Sequence, residues 1–123
     1  MHNFRKLLVY EKSIDLGCDV RKLLKKYPKE EMFALSQQYR RAVDSIALNI
    51  AEGSGNSSEK EFAKFLDYAI RSGYECICCL DISKKNVYIA NEEYDVMFQK
   101  TDEVIAMLIG LQKKINNNNQ RSI

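Results

Sequence analysis

The chain is poor in the residues from which most active sites are built. Its 123 residues include a single histidine, His2, near one end of the sequence. A di-iron site in a helical bundle needs a Glu-x-x-His pair on each of two helices, and a general base must be held in place, so His2 supports neither. No Ser/His or Cys/His pair is available for nucleophilic catalysis. The four cysteines, Cys18, Cys76, Cys78 and Cys79, do not fall into paired C-x-x-C spacing and read as buried free thiols rather than a zinc site. Gly53-Ser54-Gly55-Asn56-Ser57-Ser58 lacks the Gly-Lys-Ser/Thr ending and the preceding strand of a phosphate loop, which leaves it a turn between helices. The chain therefore reads as a non-enzyme, with no catalytic residue, no metal and no cofactor.

Other absences limit the fold and the partners. Alternating β-branched runs are missing, which argues against a sheet. No apolar run approaches the about 20 residues of a membrane span, and no secretory signal is recognisable, so the expected setting is cytoplasmic, away from membranes. Nineteen basic residues against 17 acidic ones give a net charge of only +2. No global field then draws the protein onto nucleic acid, and any such binding has to use a local patch.

The apolar residues that are present recur with a helical period in four segments. The first runs from about Phe4 to Lys26 on a stripe of Val9, Leu16, Val20 and Leu23, and it ends before the single proline, Pro28, whose predecessor is disfavoured from helical geometry. Gly17 inside it suggests close packing. The second begins near Lys29 or Leu35 and runs to Glu52, with Gly53 and its neighbours as C-cap and turn. Ser58-x-x-Glu61 is a capping box that starts a third helix, ending near Lys84-Lys85-Asn86. Asn91 can cap a fourth, with Glu92 and Glu93 in its first turn. Short connections make successive helices antiparallel neighbours, so the expected fold is all-α, an up-down-up-down four-helix bundle over residues 1–115. The tail, 116–123, is polar and low in complexity and is expected to be disordered.

Two groups of residues are candidates for function. Arg21, Lys22, Lys25, Lys26 and Lys29 occupy a stretch with no acidic residue, and Arg40-Arg41 follows early in the second helix. If those helices form a hairpin, the two groups meet at one end of the bundle. They are then either a solvated helix end, where cations suit the dipole, or a surface that contacts phosphates of RNA or DNA. Ser45, Asn49 and Glu52 form a polar row beside the buried stripe Tyr39, Ala42, Val43, Ile46, Ala47 and Ile50. That row either hydrogen-bonds the turn at Gly53 to Ser58 or faces a second subunit or partner. Leu48, opposite the stripe, would be left in water by a lone bundle, which points to a homo-oligomer.

The run Gln38-Tyr39-Arg40-Arg41-Ala42-Val43-Asp44-Ser45-Ile46-Ala47-Leu48-Asn49-Ile50-Ala51-Glu52-Gly53 resembles the Q-x-R-R-A-x-x-S-I-x-x-N-I-A-E-G signature of the proteins encoded in intervening sequences of bacterial 23S rRNA genes. The same four-helix-bundle family includes the accessory variability determinant proteins of diversity-generating retroelements. Tyr27-Pro28-Lys29-Glu30-Glu31, Glu61-Phe62, Ala69, Ser72 and Glu75 add to the match, while Asn56, Tyr10, Arg71, Gly73 and Cys76 depart from the family pattern. The resemblance implies a homo-oligomer, commonly a pentamer. In the retroelement branch it also implies a basic surface that binds nucleic acid and a reverse transcriptase.

Overall fold

A computed structural model describes residues 3–55 and 58–121, with side chains described as far as Asn118. His2, Asn56 and Ser57, which entered the sequence argument, lie outside the described residues. Four helices make up the fold, α1 (Leu8–Leu24), α2 (Leu35–Ser54), α3 (Glu59–Lys85) and α4 (Asn91–Arg121), and there is no strand among the described residues. Single 3-10 turns, Phe4–Lys6 and Lys29–Glu31, precede α1 and α2. Each helix packs on its two neighbours around a square, α1 on α2, α2 on α3, α3 on α4 and α4 back on α1. This is the all-α antiparallel four-helix bundle that the apolar periods predict.

The helix ends follow local chemistry. Pro28 sits at φ −57 and ψ 143, so the chain leaves α1 in an extended step, and α2 starts at Leu35 rather than Lys29. Ser58 caps α3 as expected, with its hydroxyl accepting from the Glu61 amide at 3.3 Å. α4 is capped one residue earlier than the sequence suggests: the Ala90 amide donates to Glu93 Oε1 at 2.8 Å, while Asn91 is already helical. At its far end α4 continues through the asparagine run to Arg121, beyond the boundary expected at 115. No apolar contact is needed for this, since a helix already nucleated gains one backbone bond per added residue.

The core is one cluster centred on Leu16, Val20, Tyr39, Val43, Ile46, Ile50, Leu66, Leu80 and Leu108. Two glycines set how close the helices come. A Cβ on Gly53 would stand 2.5 Å from Phe65 Cβ, and one on Gly73 would stand 2.6 Å from Ile105 Cγ1, so α2 meets α3 and α3 meets α4 at these points. Gly17 is different, because a Cβ there would stand 3.4 Å from Arg21 Nη1, an ordinary contact with a flexible tip. The close packing expected at Gly17 is thus a side chain lying over it rather than a helix crossing.

The α1 to α4 seam is the thinnest, and charge covers it. Lys12 pairs with Glu103 at 2.5 Å, Lys100 with Asp19 at 2.9 Å, and Lys26 with Glu93. At the end of the bundle where both hairpin connections lie, the Tyr27 hydroxyl donates to Ser83 Oγ at 2.6 Å and the Tyr88 hydroxyl donates to Glu31 Oε2 at 2.7 Å. These bonds tie the α1–α2 connection to the α3–α4 connection. They fix the geometry of the basic end.

Candidate nucleic-acid interface

The hairpin of α1 and α2 brings the two basic groups together, but not as one patch. Arg21, Lys25, Lys29 and Arg40 line a single cavity of about 330 Å³, with Leu24, Met32 and Ser36 among its other walls. Lys22 and Lys26 turn the other way, into the α1–α4 groove, where Glu92 and Glu93 also stand. Arg41 is exposed on the outer surface of α2, two turns before Leu48 and on the same face. The helical period accounts for the split, since residues four apart share a face and their neighbours do not.

Charge pairing divides the set further. Arg21 is held by Asp44, Nη1 to Oδ1 at 2.8 Å and Nη2 to Oδ2 at 2.6 Å, a fork that pushes its already high pKa further up through the hydrogen bond. Lys26 is committed to Glu93, whose carboxyl is held below its ordinary range first by the Ala90 amide and then by Lys26. Lys22, Lys25, Lys29, Arg40 and Arg41 have no acidic partner among the described residues. Asp44 and Glu93 are the residues that sequence reasoning missed. A signal existed for Asp44, whose place in the second helix faces the turn of α1 that carries Arg21 once the two are paired as a hairpin.

The polar row resolves differently from the turn-capping alternative. Asn49 Nδ2 donates to the Ser45 carbonyl at 2.8 Å and to Ser45 Oγ at 3.0 Å, one turn back along α2 and away from the turn. Ser72 of α3 donates to Ser45 Oγ at 2.9 Å, and Gln38 donates to Glu75. Residues of the α2 signature therefore meet Ser72 and Glu75 across the α2–α3 seam. Glu52 is exposed at the end of α2. Polar atoms beside a core take the nearest partners, and here those lie one turn back on α2 and on the facing helix rather than at the turn.

A second feature of this side of the molecule is apolar. Between α1 and α2 runs a groove of about 430 Å³ lined by Tyr10, Ile14, Cys18, Ala47, Leu48 and Ala51 among others. Leu48 is 66% exposed and Ile14 45% exposed on its rim. No helix among the described residues is long and apolar enough to cross a membrane. No group of described residues is arranged to hold a metal ion.

Fold and site together define a small all-α bundle with a hydrogen-bonded α2–α3 seam and a basic end. The chain belongs to the family of 23S rRNA-intervening sequence proteins, whose sequence model matches residues 5–110. Among solved structures it is similar to a protein with unknown function from the S23 ribosomal protein family of Bacteroides thetaiotaomicron, with 27% sequence identity and a TM-score of 0.80. That match covers 86% of this chain and 96% of the other. No curated protein matches the chain.

Proposed function

We propose that this protein is a non-enzymatic, self-associating bundle of the cytoplasm that presents basic side chains to RNA or a ribonucleoprotein. The observation that carries the reading is the gathering of Lys25, Lys29 and Arg40, none with a carboxylate partner among the described residues, around one cavity at an end of the bundle. Unpaired cations grouped at one end suit phosphates, which position a partner without reading its sequence. The names of the family and of the Bacteroides protein make ribosomal RNA the first nucleic acid to test. A reverse transcriptase is the partner to test if the protein serves a retroelement.

Self-association is supported by Leu48 and Ile14 on the rim of the α1–α2 groove, an apolar strip that a second copy would remove from water. The pentameric count rests on the family resemblance alone. The same groove favours a second reading, an assembly or protein-interaction module whose lysines serve only solubility.

Fluorescence anisotropy against structured RNA, single-stranded RNA and duplex DNA across salt concentrations separates the two. Each phosphate contact should contribute a slope of about 0.7 to 0.9 in log affinity against log salt. The variant to compare is Lys25→Glu with Lys29→Glu, because Lys26 also holds the α1–α4 seam. Equal weakening on unrelated sequences is expected. Binding that is absent at low salt, or indifferent to the reversal, leaves the protein-interaction reading in its place.

A further inference from the structure

One hydroxyl, on a buried serine at the start of α2, is left unused by everything described above, and its residue lines the basic cavity. Among the described residues five polar ones are buried: Ser13, Ser36, Ser54, Ser83 and Thr101. Four of them return a hydrogen bond to a backbone carbonyl three or four residues earlier, at 2.7 to 3.0 Å. Ser36 has no hydrogen-bond partner among the described residues, although it is only 6% exposed. The reason is its position, the second residue of α2, where the carbonyl four residues back belongs to the preceding turn and not to a helix. The Tyr39 hydroxyl is the unpaired side-chain polar atom that is sealed from solvent among the described residues. The Ser36 hydroxyl is not sealed, and the opening it lines is the cavity shared with Lys25, Lys29 and Arg40.

The start of α2 is satisfied only in part. Ala34 offers no side-chain cap, and the first turn contains no acidic residue. The Leu35 amide donates to Glu31 Oε1 at 3.4 Å, and Gln38 begins the helical ladder by donating to the Ala34 carbonyl at 2.9 Å. Between them the amides of Ser36 and Gln37 have no partner among the described residues. The Ser36 hydroxyl and amide, with three cations that have no carboxylate partner among the described residues, make up the donor set of an anion site. No carboxylate lines the cavity. Lysines at the C-terminal end of α1 would be explained by that helix's own dipole. A Ser36 hydroxyl without a partner beside them would not.

We propose that this cavity binds a phosphomonoester, such as the phosphate of a 5′-nucleotide or of an oligonucleotide's 5′ end. The Ser36 hydroxyl and amide would donate to its oxygens, and Lys25, Lys29 and Arg40 would balance its charge. A volume of about 330 Å³ exceeds what a lone phosphate fills and falls at the lower end of small-molecule sites. Leu24 and Met32 supply an apolar wall for the group the phosphate is attached to. The proposal deepens the nucleic-acid reading and rests on it only for the choice of a phosphate ester over other anions.

The test is isothermal titration of the full chain with adenosine, adenosine 5′-monophosphate and inorganic phosphate. Anisotropy follows with one oligoribonucleotide carrying either a 5′-phosphate or a 5′-hydroxyl. The monophosphate should bind and adenosine should not. Ser36→Ala should weaken the monophosphate roughly tenfold, the loss of one hydrogen bond to a charged group. The melting temperature of the ligand-free variant should be unchanged or higher, since an unpaired hydroxyl has been removed, whereas a purely structural serine would lower it. Lys29→Gln provides a second variant with the same expected loss. Inorganic phosphate binding as well as the monophosphate also supports the site and assigns the free anion as its ligand. A monophosphate no better than adenosine, or one indifferent to Ser36→Ala, overturns the proposal. A 5′-hydroxyl oligonucleotide that binds as tightly as its 5′-phosphate form overturns it while leaving the broader RNA reading intact. A terminal phosphate that binds when internal phosphates add nothing upholds the site and ends that broader reading.

Discussion

Replacing Tyr39 by phenylalanine should stabilise the protein. Tyr39 is 0% exposed, and its hydroxyl has no hydrogen-bond partner among the described residues. Folding strips that hydroxyl of water without replacing the bond, which costs about 1 to 3 kcal/mol. Removing the oxygen leaves a gap smaller than a methyl group, and the lost contacts offset only a few tenths of a kcal/mol, roughly. The net expectation is a gain of about 1 kcal/mol, or roughly 3 to 5 °C in melting temperature for a chain of this size. Burial also pushes the phenol's pKa far above its ordinary value of 10.0, with the neighbouring Cys76, Tyr27 and Cys79 adding to the rise. The folded state then keeps a proton that the unfolded chain releases, so stability is lost as pH rises past about 10. Tyr39→Phe cannot lose stability in this way, and its advantage should widen above pH 10. Urea and thermal unfolding at one fixed protein concentration measure both effects without mass action from assembly. A loss of about 1 kcal/mol or more at neutral pH would refute the reasoning, because it would mean that the hydroxyl is satisfied in the folded protein.

Two further predictions use neighbouring features. Gly53→Ala and Gly73→Ala should each cost about 1 to 3 kcal/mol through overpacking against Phe65 and Ile105, while Gly110→Ala, with nothing within 4 Å of the new carbon, should gain about 0.5 to 1 kcal/mol from helix propensity. Denaturant midpoints check the contrast, and equal effects at the three sites would mean that the helix crossings are misplaced. Titration with a thiol reagent should find Cys18 and Cys78 fast and Cys76 and Cys79 slow. The first two are exposed, contrary to the sequence expectation of four buried thiols, because they fall off the apolar stripes of α1 and α3, whereas burial pushes the Cys79 thiol up to about 11 and Cys76 beyond it. If copies associate through the α1–α2 groove, Cys18 should slow on raising the protein concentration and Cys78 should not. Retardation of Cys78 alone would put the interface elsewhere.

The sequence by itself determined the helices and the face each one buries, because a 3.6-residue apolar period and a capping residue are properties of a short stretch of chain. It also placed the basic groups of α1 and α2 at a common end, since a short connection leaves two helices antiparallel. It marked Gln38, Ser45, Ser72 and Glu75 through the family signature, and it picked out Leu48 as exposed apolar surface. What each of these residues touches was decided by tertiary structure. Arg21 is taken up by Asp44 and Lys26 by Glu93, so the seven candidate cations are not equivalent, and which are paired depends on the rotation of α1 against both neighbours. Asn49 turns back to Ser45 on its own helix rather than on to the turn, and Ser45 in turn accepts from Ser72 across the α2–α3 seam. The apolar stripe placed Tyr39 in the core, but nothing in the sequence marked its hydroxyl, or that of Ser36, as lacking a partner. A missing hydrogen bond depends on what every surrounding element fails to supply, and only the packed bundle defines that set.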